Sequence, residues 1–368
     1  MMQALLDRTT ELHERMKTAR TRTASRRTAG TLAAALGLLA LVPLLPLSPL
    51  TAQAQTSASR ATAASGTATA SAWPTRQVRI ILSFPPGGIT DLLARTIGQA
   101  IQDRSGQPAV IDNRPGGNFV IAAETAARAP ADGHTLLLGT DSIFTVNPLS
   151  KNKLGYDADR DFAPISLAAL QTLFVVGSGK APARTLKDMI AYAKAHPGAL
   201  SFATTALVSQ LVGEQLKQLT GTDIQAIPFK GSPPMLQALI NGDVAFGITT
   251  FTPYASYLPD GRLVGLAVTG RKRETIVPDV PTLAELGMEE VGYHLWYGFW
   301  VPAATPASVQ AAVLAEIHRV LDEPAVRRKL ADAGMEAASS TPAELNARVQ
   351  ADRAKWARVI NSAGIQLN

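Results

Sequence analysis

From Trp73 almost to the C-terminus, short apolar runs alternate with segments whose apolar residues recur every three or four positions. The runs VRIIL, AVIDN, TLLLGT, TLFVVG, LSFATT, IQAIPF, DVAFGI and LVGLAVT read as strands. Helical periodicity covers 91–103, 119–129, 185–196, 209–220, 233–241, 307–335 and 342–363. Several of these segments end in AHPG, QLTG, INGD or DAG, which puts glycine where a helix terminus needs a left-handed residue. Such alternation predicts an α/β protein with parallel sheets covered on both faces. About ten strands are too many for one small sheet, so two lobes are expected.

The first 54 residues follow another pattern. A basic stretch ending in ASRRTAG precedes the apolar run TLAAALGLLALVPLLPLSPL, and Ala52-Gln53-Ala54 then matches a small-x-small cleavage site. This layout predicts a secretory signal peptide over 1–54. The competing reading, a membrane anchor, is opposed by Pro43, Pro46 and Pro49, which interrupt the apolar run, and by the cleavage site after it. Arg26-Arg27 is a twin-arginine feature, but Thr-Ala-Gly follows where bulky residues are wanted, so Sec-type export is expected. Met16-Lys17 would open a more typical leader, which makes residues 1–15 a candidate mis-assigned start. Residues 55–72 are Ala/Ser/Thr-rich and read as a flexible linker.

Charge follows the same division. The formal net charge is +6, but residues 1–54 hold seven basic against three acidic residues, leaving +2 for the rest. A body so near neutrality gives no electrostatic reason to expect nucleic acid as a partner. No cysteine occurs, which removes disulfides, thiolate catalysis, Cys-based metal sites and lipid attachment. An exported, cysteine-free protein of this kind points to the periplasm.

The stretch SFPPGGITDLLAR, Ser83 to Arg95, carries the most chemistry. Its prolines stiffen the approach, Gly87 and Gly88 bare the main chain, and Ile89, Thr90 and Asp91 open a helix whose first N–H groups have no partner within it. Ligands of open α/β sheets bind at the carboxyl ends of strands, beside helix N-termini. Such a turn suits a carboxylate better than a nucleotide; a plain strand-to-helix corner explains the same residues.

Catalytic motifs fail. GSGKA at 177–181 lacks the phosphate-loop pattern, since Phe174 stands where Gly is required and Ala181 where Ser or Thr is. His13, His134, His196, His294 and His318 are scattered without metal-ligand spacing, and no G-x-S-x-G elbow exists. Asp159/Asp161 and Glu289/Glu290 read as solvated loop acids. No catalytic residue, metal or cofactor is expected.

Ten segments then carry a resemblance, in order: WPTRQVRIILSFPPGGITD, GQPAVIDNRPGG, APADGHTLLLGT, VNP, DFAPIS, IPFKGSPPMLQALINGDV, GRLVGLAVTGRKR, PDVPTLAELG, WYGFWVPAATP and KWARVINSAGI. Together they resemble the periplasmic solute-binding proteins of tripartite tricarboxylate transporters, the Bug-type receptors, over the whole chain from Trp73. The resemblance implies a type II-like two-lobed periplasmic binding protein fold, with two crossover strands and a ligand cleft between the lobes. The first lobe would hold 73–174 and 297–368, the second 175–296, with crossovers in TLFVVG and HLWYGFW. The implied carboxylate clamp maps to Phe84, Gly87, Gly88, Thr90 and Asp91, with Asp91 ordering the loop rather than touching ligand. Thr140, Asp141 and Ser142 would form a second loop of that lobe. Thr204, Thr205, Ser209, Phe229, Lys230 and Thr249 would face it from the other lobe, with Trp296 at a crossover.

The chain also departs from that pattern. ALVSQ, Ala206 to Gln210, replaces a longer polar loop that usually holds a His; Asp141 replaces a small neutral residue; and GITTFT, Gly247 to Thr252, replaces a stretch that often holds an Asp. These changes favour a ligand with one carboxylate and an apolar body over a citrate-type polycarboxylate. The resemblance implies a monomeric transport receptor whose partners are a small organic acid and permease subunits. A sensory receptor of the same fold and an exported enzyme remain the alternatives.

Overall fold

The computed structural model describes residues 73–150 and 153–367. The expected signal peptide and linker lie outside them. The chain starts with β1 (Val78–Leu82), α1 (Ile89–Ser105), β2 (Ala109–Asn113), α2 (Val120–Ala127) and β3 (Thr135–Thr140). After a turn through 142–149, the long strand β4 (Phe162–Thr172) passes into β5 (Phe174–Ser178) with only Leu173 between them. There follow α3 (Leu186–Ala195), β6 (Leu200–Thr204), α4 (Leu207–Thr220), β7 (Ile224–Pro228), α5 (Ser232–Asn241), β8 (Phe246–Thr249) and β9 (Leu263–Val268). The chain then returns through β10 (His294–Pro302), α6 (Ala307–Leu321), α7 (Pro324–Asp332), β11 (Glu336–Ala337) and α8 (Pro342–Ala363).

Two sheets result, a six-stranded one ordered β11-β4-β10-β3-β1-β2 and a five-stranded one ordered β7-β6-β8-β5-β9. This is the expected two-lobed α/β architecture, with one correction. The sheets are mixed rather than parallel throughout: β1 pairs parallel with β2 and β3, and β6 with β7 and β8, but β10 runs antiparallel to β3 and β4, and β5 to β8 and β9. The antiparallel pairs belong to the strands at which the chain passes between sheets, where no crossover helix imposes a parallel return.

Four segments differ from the periodicity reading. FAPISLAALQT forms β4, a strand hidden by its alanines and Pro164. Pro164 is accommodated because it sits opposite Trp300 beside a register irregularity, on a part of β4 that β11 does not pair. The expected helix 307–335 is two helices, since Pro324 has no N–H to continue α6 and instead starts α7. Helix α1 begins at Ile89 and α4 at Leu207, two residues before the expected starts.

Both faces of the larger sheet are buried, which is why β10 reads as apolar at consecutive positions. Tyr297, Phe299 and Val301 join Leu93, Ile97 and Ile101 of α1 and Val313, Ile317 and Val320 of α6. Trp296 and Trp300 face the other way, with Leu345, Val349, Trp356 and Val359 of α8. That second core continues into the smaller sheet's lobe through Val208, Leu211, Val212 and Leu216 of α4. Trp300 stacks on Phe144 at 3.9 Å between ring centroids. Gly139 and Gly298, opposite each other in β3 and β10, leave room for this pair: a Cβ on Gly139 would lie 2.6 Å from the Phe144 ring.

Candidate functional site at the strand ends

Strand register places the two sets of parallel strand ends at one level. Thr172, the last residue of β4, pairs with His294, and Thr140, at the end of β3, pairs with Tyr297 three positions further on. In the smaller sheet Thr249, at the end of β8, pairs with Phe174, one residue beyond Leu173. The carboxyl ends of β1, β3, β6 and β8 therefore all point toward the crossovers, the place where open α/β sheets bind ligands.

On the first lobe, β1 ends at Leu82 and the chain turns through Ser83 to Gly88 into α1. Gly87 has φ +86°, a left-handed value that a side chain would strain. Gly88 is the N-cap in extended backbone, and no side chain caps the helix. Two buried hydroxyls lie at the adjacent strand ends, Ser83 Oγ and Thr140 Oγ1, and neither has a hydrogen-bond partner. A buried, unpaired hydroxyl costs free energy that an incoming ligand would recover.

Asp91 faces inward and holds the turn. Its carboxylate accepts from the Gly87 N–H at 3.0 Å, from Arg95 Nε at 2.8 Å and Nη2 at 3.2 Å, and from Asn113 Nδ2 at 3.0 Å. Asn113 Nδ2 also donates to the Phe84 carbonyl at 2.9 Å, tying β2 to the same turn. Burial alone would raise the Asp91 pKa, but the bonds from Arg95, Gly87 and Asn113 outweigh it and hold the carboxyl at about 2. The Phe84 ring packs on Phe119 at 4.9 Å. Phe119 and Asn118 both have positive φ, 74° and 48°, an uncommon conformation for non-glycine residues that often marks working loops. The Thr90 hydroxyl neighbours that of Tyr297, which donates to Gln171 Oε1 at 3.0 Å. Burial pushes the Tyr297 phenol well up, so it stays a donor.

Asp141, Ser142 and Trp296 are drawn away from that surface. Asp141 is 3% exposed and accepts from Ser142 N at 2.6 Å, Ser142 Oγ at 3.2 Å and Tyr293 Oη at 3.0 Å. Burial pushes its carboxyl up to about 7 against those bonds, and the nearby Asp352 adds to the rise. Tyr293 also reaches Asp352 at 3.4 Å, and Trp296 Nε1 donates to Asp352 at 2.7 Å. Trp296 is wholly buried, and its indole N–H is already occupied.

On the second lobe, the Thr204 carbonyl accepts from Phe229 N at 2.8 Å, which sets the ends of β6 and β7 side by side. Thr249 is buried at the end of β8, Thr205 is half-buried and Lys230 is exposed. The segment ALVSQ is not a loop. Ala206 is the N-cap of α4, Val208 lies in the core, and Ser209 Oγ donates to the Ala206 carbonyl at 2.7 Å. The apolar character of those residues thus serves helix packing, and an apolar ligand tail loses Val208 as a contact.

The sequence patterns did not single out Ser83, Phe119, Gln171 or Tyr297. Ser83 directly follows VRIIL, so the rule that favours strand carboxyl ends could have found it. Gln171 and Tyr297 meet only because β4 pairs with β10, a register no local pattern announces.

A family model described as the tripartite tricarboxylate transporter family receptor matches residues 93–365. The chain belongs to that family. It is 34% identical to Protein BugT of Bordetella pertussis over 302 residues, 81% of this chain and 93% of that protein. Among solved structures, Rpa4515 of R. palustris with adipate is 34% identical with a TM-score of 0.71, covering 80% of this chain and 99% of the other. MatC from Rhodopseudomonas palustris with bound malate is 30% identical with a TM-score of 0.66, covering 78% and 100%. The periplasmic binding protein BugD is 27% identical with a TM-score of 0.68, covering 80% and 99%. Family members are periplasmic solute-binding proteins, and the chain is a Bug-type receptor of this family. Among the described residues no helix is long and apolar enough to cross a membrane.

Proposed function

We propose that this receptor captures a small organic acid between its two lobes in the periplasm and delivers it to the permease subunits of a tripartite tricarboxylate-type transporter. One observation carries the reading: two buried, unpartnered hydroxyls, Ser83 and Thr140, flank a helix N-terminus that no side chain caps. A carboxylate placed there accepts from those hydroxyls and from the first N–H groups of α1. The helix end supplies about half a positive charge, and each charge-assisted bond contributes about 1.5–3 kcal/mol. No Arg or Lys is required at that point. Asp91 does not repel the ligand, because Arg95 neutralises it. Relatives solved with adipate and with malate support a carboxylate ligand, and the family description supports the permease partner.

The two lobes, 73–174 with 297–368 and 175–296, close on the ligand by rotation at the crossovers, and the ligand leaves chemically unchanged. A thermal-shift screen of mono- and dicarboxylates on protein beginning at Gln55 tests this. A ligand at 100 times its Kd adds about 2.7 kcal/mol of stability. No shift with any acid, or turnover of the acid that binds, overturns the reading.

A further inference from the structure

Next to the first-lobe strand ends, two carboxyl groups, one buried and one half-buried, meet at a single hydroxyl. Asp141 directly follows Thr140, and its Oδ2 accepts from Tyr293 Oη at 3.0 Å. Asp352 of α8 brings its own Oδ2 to the same hydroxyl at 3.4 Å, and that oxygen also accepts from Trp296 Nε1 at 2.7 Å. The other Asp141 oxygen is engaged by Ser142 N and Oγ. A tyrosine carries one hydroxyl proton. With both acids ionised, Tyr293 donates to only one of them. One added proton resolves the conflict: Asp141 then donates to Tyr293 Oη, and Tyr293 donates to Asp352.

The surrounding charges leave Asp141 without a cation of its own among the described residues. On α8, Arg348 and Lys355 act on Asp352, Lys355 Nζ also donating to the Gly292 carbonyl at 3.2 Å, while Arg353 is taken up by Asp159 and the Phe144 carbonyl. Tyr156 donates to the Ile143 carbonyl on the turn after Asp141, and α4, packed on that turn, carries Glu214 and Lys217 paired to each other at 2.8 Å. Burial already holds the Asp141 carboxyl at about 7, so a modest change nearby alters its proton occupancy at neutral pH. The ligand turn is close. Thr140, whose hydroxyl lacks a partner, is the preceding residue, and the Asp141 charge reaches the Tyr297 hydroxyl, which neighbours Thr90 in the first turn of α1. An anion held by Ser83, Thr140 and α1 therefore adds negative charge beside a pair of acids already short of a proton.

We propose that Asp141 is the positioning residue of a proton-linked capture: the Asp141–Tyr293–Asp352 cluster takes up a proton from solvent as the organic acid binds, and returns it on release. This rests on the carboxylate reading of the first lobe. Asp141 acts through Thr140 and through its charge, without touching the acid. The coupling is reciprocal, so whatever the anion does to the cluster's affinity for a proton, the proton does to the affinity for the anion. Capture tightens as pH falls toward 6.5.

Calorimetric titration with straight-chain mono- and dicarboxylates of about four to six carbons, between about pH 6.5 and 8.5, tests the proposal. Free carboxylic acids are ionised across that window, and His294, lowered by burial from its ordinary 6.5, is largely neutral in it. Affinity for the best acid is expected to rise about fivefold or more from the top of the window to the bottom. Heats in two buffers of different ionisation enthalpy are expected to report net proton uptake. Asp141→Asn cannot take the proton, and is expected to bind with a flat pH profile, no uptake and close to the affinity of the unmodified protein at low pH. Asp352→Asn keeps Asp141 and an acceptor for Trp296, moves the pH response to lower pH, and serves as the second variant. A flat profile without uptake in the unmodified protein, or an unaltered slope in either variant, overturns the proposal while leaving the first-lobe reading intact. If no acid of the series binds, the carboxylate reading fails and this proposal falls with it.

Discussion

Leu173 and Thr269 bond to each other where the two sheets part. Leu173 N donates to Thr269 Oγ1 at 2.9 Å, and Thr269 N donates to the Leu173 carbonyl at 2.9 Å. Thr269 Oγ1 in turn donates to the Tyr293 carbonyl at 2.5 Å, and Tyr293 N donates to the Thr269 carbonyl at 3.0 Å. One threonine therefore ties together Leu173, which joins the sheets in one direction, and Tyr293, which immediately precedes the returning strand β10. Thr269→Val keeps the shape but leaves the Leu173 N–H and the Tyr293 carbonyl short of a partner in a buried setting. A loss of about 1–3 kcal/mol is expected in chemical denaturation. A loss below about 0.5 kcal/mol would show that the knot is dispensable.

Closure is the second expectation. The chain leaves the larger sheet at Leu173 and returns to it at Tyr293, and both are tied to Thr269, so rotation there moves the sheets as bodies. Ligand drives this only through contacts improved in the closed form. Small-angle scattering with saturating ligand is expected to give a smaller radius of gyration, and an unchanged profile counts against the hinge.

Gly88 offers a test of the turn with little structural penalty. Its φ is −83°, and a Cβ there would meet nothing nearer than the Pro85 carbonyl at 3.9 Å. Gly88→Val is therefore expected to fold while its methyl groups crowd the α1 N-terminus. Binding of the identified acid weakens about tenfold or more, the loss of roughly one charge-assisted bond. Gly87 is the poorer choice, because its positive φ would confound folding with binding.

Thr140 separates stability from binding in another way. Its hydroxyl is buried without a partner, so Thr140→Val removes an unpaired polar atom. The ligand-free protein is expected to be as stable or more so, while affinity drops severalfold by titration. A variant that loses stability and keeps affinity would place the hydroxyl in an unseen structural bond.

How much of this was legible in the sequence depends on whether local chemistry or pairing decides it. The turn from Phe84 to Asp91 was readable, because prolines, glycines and a first-turn acid each have a local physical meaning. The two-lobed α/β fold was readable from alternation. Strand β4 was not, since its alanines and Pro164 carry weak local preference and only the pairing with β10 makes it a strand. ALVSQ was misread as a ligand loop because a helix's first turn and an apolar loop look alike until the partner core is known. Asp141 and Trp296 were assigned to the ligand through the resemblance alone, and Tyr293 and Asp352, set apart from Asp141 along the chain, hold both side chains in a buried cluster.

That inward cluster gives the pH dependence a distinctive shape. Asp91 is held at about 2, below its ordinary 3.8, so the folded state binds fewer protons between those values. Its contribution, about 2 kcal/mol, is present above about pH 4 and is lost as pH falls toward 2. Asp141 has the opposite sign. With its pKa pushed to about 7, the folded state binds more protons than the unfolded chain between about pH 4 and 7. Its contribution is complete below about pH 4 and is lost as pH rises through 7. Asp352, raised by burial against the Trp296 indole, the nearby Arg348 and Lys355, and Tyr293, acts in the same direction. Asp141 and Asp352 therefore pull the melting temperature down between about pH 4 and 7, against His294, whose burial lowers its pKa and adds stability as pH rises. Asp141→Asn keeps an acceptor for Ser142, presents its amide N–H2 to the Tyr293 hydroxyl, which can accept from it while donating to Asp352, and cannot ionise. It is expected to flatten the decline between about pH 4 and 7, raise the melting temperature at pH 8 and leave the acid limb unchanged. An unaltered slope in that variant would place the neutral-side titration elsewhere.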